Sequence, residues 1–179
     1  MRRSGTTALA LVCAVLVFDG GPPVGVPDVV AIPGPTKIFG SEDVSEQLRR
    51  LNSTLTEHER RRISAAVMKY SAKYGLDARL VTAVMGVEST ARPWVRSPMG
   101  AVGLMQVMPH VASPLEVAGN LTTIESNVEA GCMILADNIR RLGEEDGISA
   151  YFWGSDIRGV SYLHRVRAAR AALDRQTES

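Results

Sequence analysis

Residues 77–109, DARLVTAVMGVESTARPWVRSPMGAVGLMQVMP, run from an apolar helical pattern into a loop of prolines and glycines, with one carboxylate, Glu88, at the join. Asp77 is a helix-capping residue type, and Leu80, Val81, Val84 and Met85 follow at helical spacing. If the helix continues unbroken, Glu88 lies on the same core-facing stripe as Val81, Val84 and Met85. Desolvation there is expected to raise its pKa. A carboxyl so raised holds a proton near neutral pH, the state a general acid needs for glycosidic cleavage. Position alone favours an ordinary solvated helix-end glutamate; the loop shifts the balance. Pro93 and Pro98 stiffen it, and Gly100 and Gly103 permit close backbone approach. Ser97 and Gln106 carry neutral groups suited to sugar hydroxyls and N-acetyl amides. Met99, Met105 and Met108 add adaptable apolar surface.

Working outward, the signals remain helical. Thr56-Glu57-His58-Glu59 is a capping-box pattern, followed by Ile63, Val67, Tyr70 and Tyr74, with Gly75 as a stop. Asn127 is expected to cap a further helix striped by Val128, Cys132, Leu135, Ile139 and Leu142, which makes Cys132 a small core residue. Residues 148–153 read as a short apolar segment, helix or strand, and residues 162–175 as an Ala/Arg-rich helix. No alternating strand pattern stands out.

The 179 residues suit one domain with appendages, and a net charge of +1 gives no reason to expect a nucleic-acid partner. Arg2 and Arg3 precede an apolar run at residues 8–18, which is too short for the ~20 residues of a membrane span. It reads as the apolar region of an export signal, with an uncleaved N-terminal anchor as the alternative. Residues 1–20 are therefore expected to be signal peptide or anchor, residues 21–50 a Gly/Pro/Val-rich linker, and residues 51–175 the folded domain. Val12 stands where a lipoprotein signal wants a small residue before Cys13. If the signal leaves, Cys132 is alone and no intrachain disulfide can form. His58, His110 and His164 show no metal-ligand spacing, so neither a metal nor another cofactor is expected. The Arg-rich tail reads as a solvated helix face. Trp94, Phe152 and Trp153 are candidates for stacking on sugar rings.

Taken together, Glu88-Ser89 and the run Ser97-Pro98-Met99-Gly100-Ala101-Val102-Gly103-Leu104-Met105-Gln106-Val107-Met108-Pro109 resemble the soluble lytic transglycosylase (SLT) family of peptidoglycan-cleaving enzymes. Asn127 to Gly131, Ala150-Tyr151 with Gly154, and Tyr162 to Val166 match further family segments in order. The resemblance covers about residues 60–168 and implies a mainly α, lysozyme-like single domain. It implies that Glu88 is the single catalytic acid/base. Ser97, Gln106 and Met108 would line a glycan cleft, with Tyr151 near Glu88. It further implies non-hydrolytic cleavage of the MurNAc-β-1,4-GlcNAc bond to 1,6-anhydromuramoyl products. Peptidoglycan strands are then the partner, the state is monomeric and the location is the periplasm or envelope. A muramidase of goose-type lysozyme kind, or a wall-binding or secretion-system accessory, are the alternatives. Two departures stand out: Phe152 occupies the family's usual Asn position, and Arg158-Gly159-Val160-Ser161 lacks the Glu-Thr that often precedes the closing Tyr.

Overall fold

Seven helices and no strand form among the described residues, 39–112 and 120–177, of the computed structural model. In chain order they are α1 (Ser41–Leu51), α2 (Glu57–Tyr74), α3 (Ala78–Ser89), α4 (Pro109–Ala112), α5 (Ile124–Leu142), α6 (Glu144–Trp153) and α7 (Ser161–Thr177). The expected mainly α class is what forms, and residues 148–153 are helical. The signal or anchor segment, Cys13 and most of the expected linker lie outside the described residues.

The helix boundaries follow local chemistry. At α2 the Thr56 hydroxyl accepts from Glu59 N, and Thr56 N donates back to the Glu59 carboxylate at 2.7 Å, which closes the capping box. Gly75 ends the helix in a left-handed conformation, φ 67°. Asp77 caps α3 by accepting from Arg79 N at 2.8 Å.

Two expectations need correction. The linker does not extend to residue 50, because α1 starts at Ser41 and buries Val44 and Leu48 completely in the common core. Apolar burial on that scale stabilises by about 1.5–3 kcal/mol per side chain, so α1 belongs to the folded unit. Asn127 does not cap α5 either. Thr123 does, accepting from Ser126 N, and Asn127 lies inside the first turn with its side chain turned into the protein.

The core is aliphatic. Ile63 and Val67 from α2 meet Val81, Val84 and Met85 from α3, Val128, Cys132 and Leu135 from α5, Ile148 from α6, and Tyr162 and Val166 from α7. Cys132 is a buried free thiol, and desolvation pushes its pKa up to about 12. Helices α5 and α6 approach closely at Gly147, where a Cβ would come within 2.6 Å of the Ile139 backbone. Helix α3 packs along α7, tied at its start by Arg170 to Asp77 and by Arg79 to Asp174.

Candidate active site

Glu88 sits one residue before the end of α3, half-buried, on the stripe that carries the fully buried Val81, Val84 and Met85. The helix stops abruptly behind it. Thr90 and Ala91 both adopt left-handed backbone, φ 53° and 54°, where such non-glycine residues cost about 1–3 kcal/mol each. Ala91 is held there by full burial and by its carbonyl, which accepts from the Asn52 side chain at the end of α1. The acid is thus carried on rigid helix at a turn fixed from two sides.

Burial raises the Glu88 pKa. The Tyr162 hydroxyl, from the first turn of α7, donates to Glu88 Oε1 at 2.5 Å, and this bond and the Arg165 guanidinium work the other way. Tyr162 is itself fully buried, and desolvation together with the facing carboxylate holds its phenol firmly protonated. It therefore keeps a proton to donate to the Glu88 carboxylate. Phe152 stacks on Tyr162, with ring centroids 5.1 Å apart and planes 16° from parallel, and Arg165 lies over both rings.

Tyr151, expected beside Glu88, feels the carboxylate electrostatically. Its hydroxyl, however, donates to the Met105 carbonyl at 2.8 Å. Sequence reasoning passed over Tyr162 as a site residue. Its signal was present in the closing Tyr162-Leu163 segment, but nothing in the spacing says that α7 lies along α3.

The loop after α3 is a knot of mutual support. Asn127 is buried and reaches it with two hydrogen bonds, its amide nitrogen donating to the Val102 carbonyl and its oxygen accepting from Met105 N, while the same nitrogen also donates to the Leu121 carbonyl ahead of α5. Gly103 is required beneath it, since a Cβ would lie 2.5 Å from the Asn127 side chain and φ is 76°. Met105 is fully buried against Gly131, where a Cβ would collide at 2.5 Å. Gln106 takes left-handed backbone, φ 47°, and its side-chain nitrogen donates to the Gly103 carbonyl at 2.9 Å. The Ser97 hydroxyl accepts from Ala101 N at 3.0 Å. Ser97 and Gln106 thus shape the loop through their own side chains.

A pocket of about 360 Å³ opens beside this loop. Met108, Tyr151, Phe152 and Trp153 line it, with Asn138 and Arg141 from α5. Of the expected site residues it joins Met108 and Tyr151; Glu88, Ser97 and Gln106 are not on its wall. Phe152, on its wall, stacks its ring on Tyr162. Trp153 is anchored by its indole N–H to the Gly159 carbonyl. Trp94 lies elsewhere, exposed over a separate hollow with Asn52, Glu59 and Arg92.

Residues 65–161, just over half of the chain, match the family model described as the transglycosylase SLT domain. The chain belongs to that family. Among relatives, the SLT chain is 39% identical over 87 residues to the transglycosylase of Enterobacteria phage PRD1, covering 48% of this chain and 32% of the phage protein. It is 46% identical over 46 residues to membrane-bound lytic murein transglycosylase C of Actinobacillus succinogenes, covering 26% of this chain and 13% of that enzyme. The chain therefore spans a third or less of these relatives. Its fold is similar to the 70 kDa soluble lytic transglycosylase SLT70 of Escherichia coli, with a TM-score of 0.50 at 21% identity over 80% of this chain and 28% of that one. The expected lysozyme-like helical SLT domain is the fold observed.

Proposed function

We propose that this SLT domain is a peptidoglycan lytic transglycosylase with Glu88 as its single acid/base, cleaving the MurNAc-β-1,4-GlcNAc bond to leave a 1,6-anhydromuramoyl end. The observation that carries this reading is the half-buried Glu88, its pKa raised by burial and its one oxygen held by Tyr162. Glu88 protonates the bridging oxygen as the glycosidic bond breaks. The resulting carboxylate then takes the proton of the muramoyl 6-hydroxyl, whose oxygen attacks the anomeric carbon. The proton balance closes on one residue and no water is consumed. Burial, Tyr162 and Arg165 are what set its proton affinity, and no second carboxylate acts on it among the described residues. The substrate's own N-acetyl group takes the place of a second enzymic carboxylate at the anomeric centre.

In this reading Met108 and Tyr151 line the glycan cleft, and Ser97 and Gln106 contact the sugar from the loop they shape. The substrate, peptidoglycan strands, places the protein in the periplasm or cell envelope, where a monomer suffices. Residues 1–20 serve export or anchoring.

Product analysis tests the proposal. Wild type acting on purified peptidoglycan should release anhydromuramoyl ends by mass spectrometry. Glu88→Gln should lose on the order of 10²–10⁴-fold in rate, the range of general acid–base catalysis. Reducing muramic ends in place of anhydro ends would make the protein a muramidase, and unchanged activity in Glu88→Gln would remove Glu88 from the mechanism.

A further inference from the structure

The acid's phenol partner is itself held by a residue that departs from the family pattern. Phe152 is 50% exposed at the end of α6, yet it lies face to face with Tyr162, 5.1 Å between centroids and 16° from parallel. Trp153 meets Phe152 edge-on at 4.9 Å, and Trp153 is in turn fixed by its indole bond to Gly159. Arg165 covers both Phe152 and Tyr162, at 5.9 and 5.5 Å from their centroids. A half-exposed phenylalanine is ordinarily free to turn. Here one neighbour sets its angle, a second stacks on its face, and a cation lies over the pair.

Tyr162 has only its hydroxyl to offer Glu88; the phenolic oxygen stays on the ring axis whatever the plane, but conjugation keeps the O–H bond in the ring plane, so a fixed plane is what aims the proton at Oε1. A stacked neighbour supplies such a plane, whereas the family's asparagine at this position has no ring with which to do so. We propose that Phe152 is a positioning residue for the active-site acid, acting through Tyr162: its stacked ring holds the phenol in the orientation that donates to Glu88. The inference rests on Glu88 being the acid, so its test includes a measurement that needs no turnover.

The groups facing Glu88 are Tyr162 and Arg165 from α7 and Tyr151 from α6. Removing the Tyr162 hydroxyl withdraws a donor to the ionised carboxylate, so Tyr162→Phe raises the Glu88 midpoint. The experiment is a double-mutant cycle read by NMR titration of the ¹³C-labelled Glu88 carboxyl, assigned with Glu88→Gln. The forms compared are wild type, Tyr162→Phe, Phe152→Asn and the double variant.

If Phe152 acts through Tyr162, the rise caused by Tyr162→Phe is large in wild type and largely absent once Phe152 is Asn. Phe152→Leu, apolar without a planar face, should behave like Phe152→Asn, and Phe152→Tyr should restore wild-type coupling. Turnover of peptidoglycan should fall on the order of tenfold in either single variant and no further in the double, as for one shared charge-assisted hydrogen bond. An equal rise in both backgrounds overturns the proposal, and so does a Phe152→Asn effect confined to KM, which would make the ring a sugar contact instead. If wild type releases no muropeptides at all, the proposed function fails while the titration cycle still decides the role of Phe152.

Discussion

The loop of residues 90–108 and the corner where α6 meets α7 divide the site's work unevenly. The loop holds most of the family's central motif, yet the hydrogen bonds its polar side chains make are to the loop's own backbone, with Ser97 and Gln106 still partly exposed. Gln106 holds Gly103, Ser97 holds Ala101, and Asn127 from α5 binds the loop at Val102 and Met105. The corner is where the pattern lapses, at Phe152 and before Tyr162. It is the corner that touches the carboxylate, through Tyr162 directly and through Arg165 electrostatically. The loop is scaffold for a turn, and the corner supplies the groups that act on the Glu88 carboxylate.

Changes in the loop should therefore cost stability first. Asn127→Ala strips three hydrogen bonds and leaves the buried Met105 N–H without its partner, at about 1–3 kcal/mol, while the Val102 carbonyl still accepts from Val107 N. A loss on the order of 3 kcal/mol is expected by denaturant unfolding. Gly103→Ala follows at roughly 2 kcal/mol, because the new methyl meets Asn127 at 2.5 Å and sits on left-handed backbone. At temperatures where these variants are folded, the pH dependence of their activity should match wild type. A shifted pH limb in Asn127→Ala would show that the loop tunes the acid after all, and would break the comparison.

The corner should respond the other way. Tyr162→Phe keeps the buried ring and the stack but withdraws the donor from ionised Glu88, so the Glu88 pKa rises further. With Glu88 as the proposed acid, activity in the kcat/KM profile is lost as pH climbs through its pKa, so the basic limb should move to higher pH. The maximum should drop on the order of tenfold, the size of one charge-assisted hydrogen bond. An unmoved limb would detach Tyr162 from the acid.

This division also explains what could be read beforehand. Helices α2 and α3 announce themselves by caps and apolar stripes, α5 by its stripe alone, and Glu88 by its place on the α3 stripe. Helix α1 was hidden: its buried residues are few, Val44, Gln47 and Leu48, within a charged segment that follows a Gly/Pro stretch. Asn127 looked like a cap because asparagine usually caps, but burial against Gly103 gives its amide three better partners. Tyr162 was legible only as part of a resemblance. That its hydroxyl meets Glu88 depends on α7 packing along α3, a contact between residues 74 apart in sequence that no local periodicity encodes.

The smallest effect expected is on stability, and its sign separates the two regions once more. The Glu88 pKa in the folded protein lies above the ordinary 4.5, with burial as the leading cause. Between those two values the folded state binds the proton and the unfolded chain releases it, so stability falls as pH rises through the window. Below 4.5 both states are protonated and the penalty vanishes; above the folded pKa it is complete. Glu88→Gln removes the charge while keeping an oxygen for Tyr162, so it should melt later than wild type near neutral pH, with the difference shrinking to nothing in acid. Half-exposure and the opposing pull of Tyr162 and Arg165 keep the gain small. Gly103→Ala supplies the contrast in the same thermal melts, since a steric clash binds no proton and its offset should be constant across the pH series. A constant offset for Glu88→Gln as well would mean altered packing rather than relief of a buried charge, and the acid would then be no more strained by its setting than the loop that carries it.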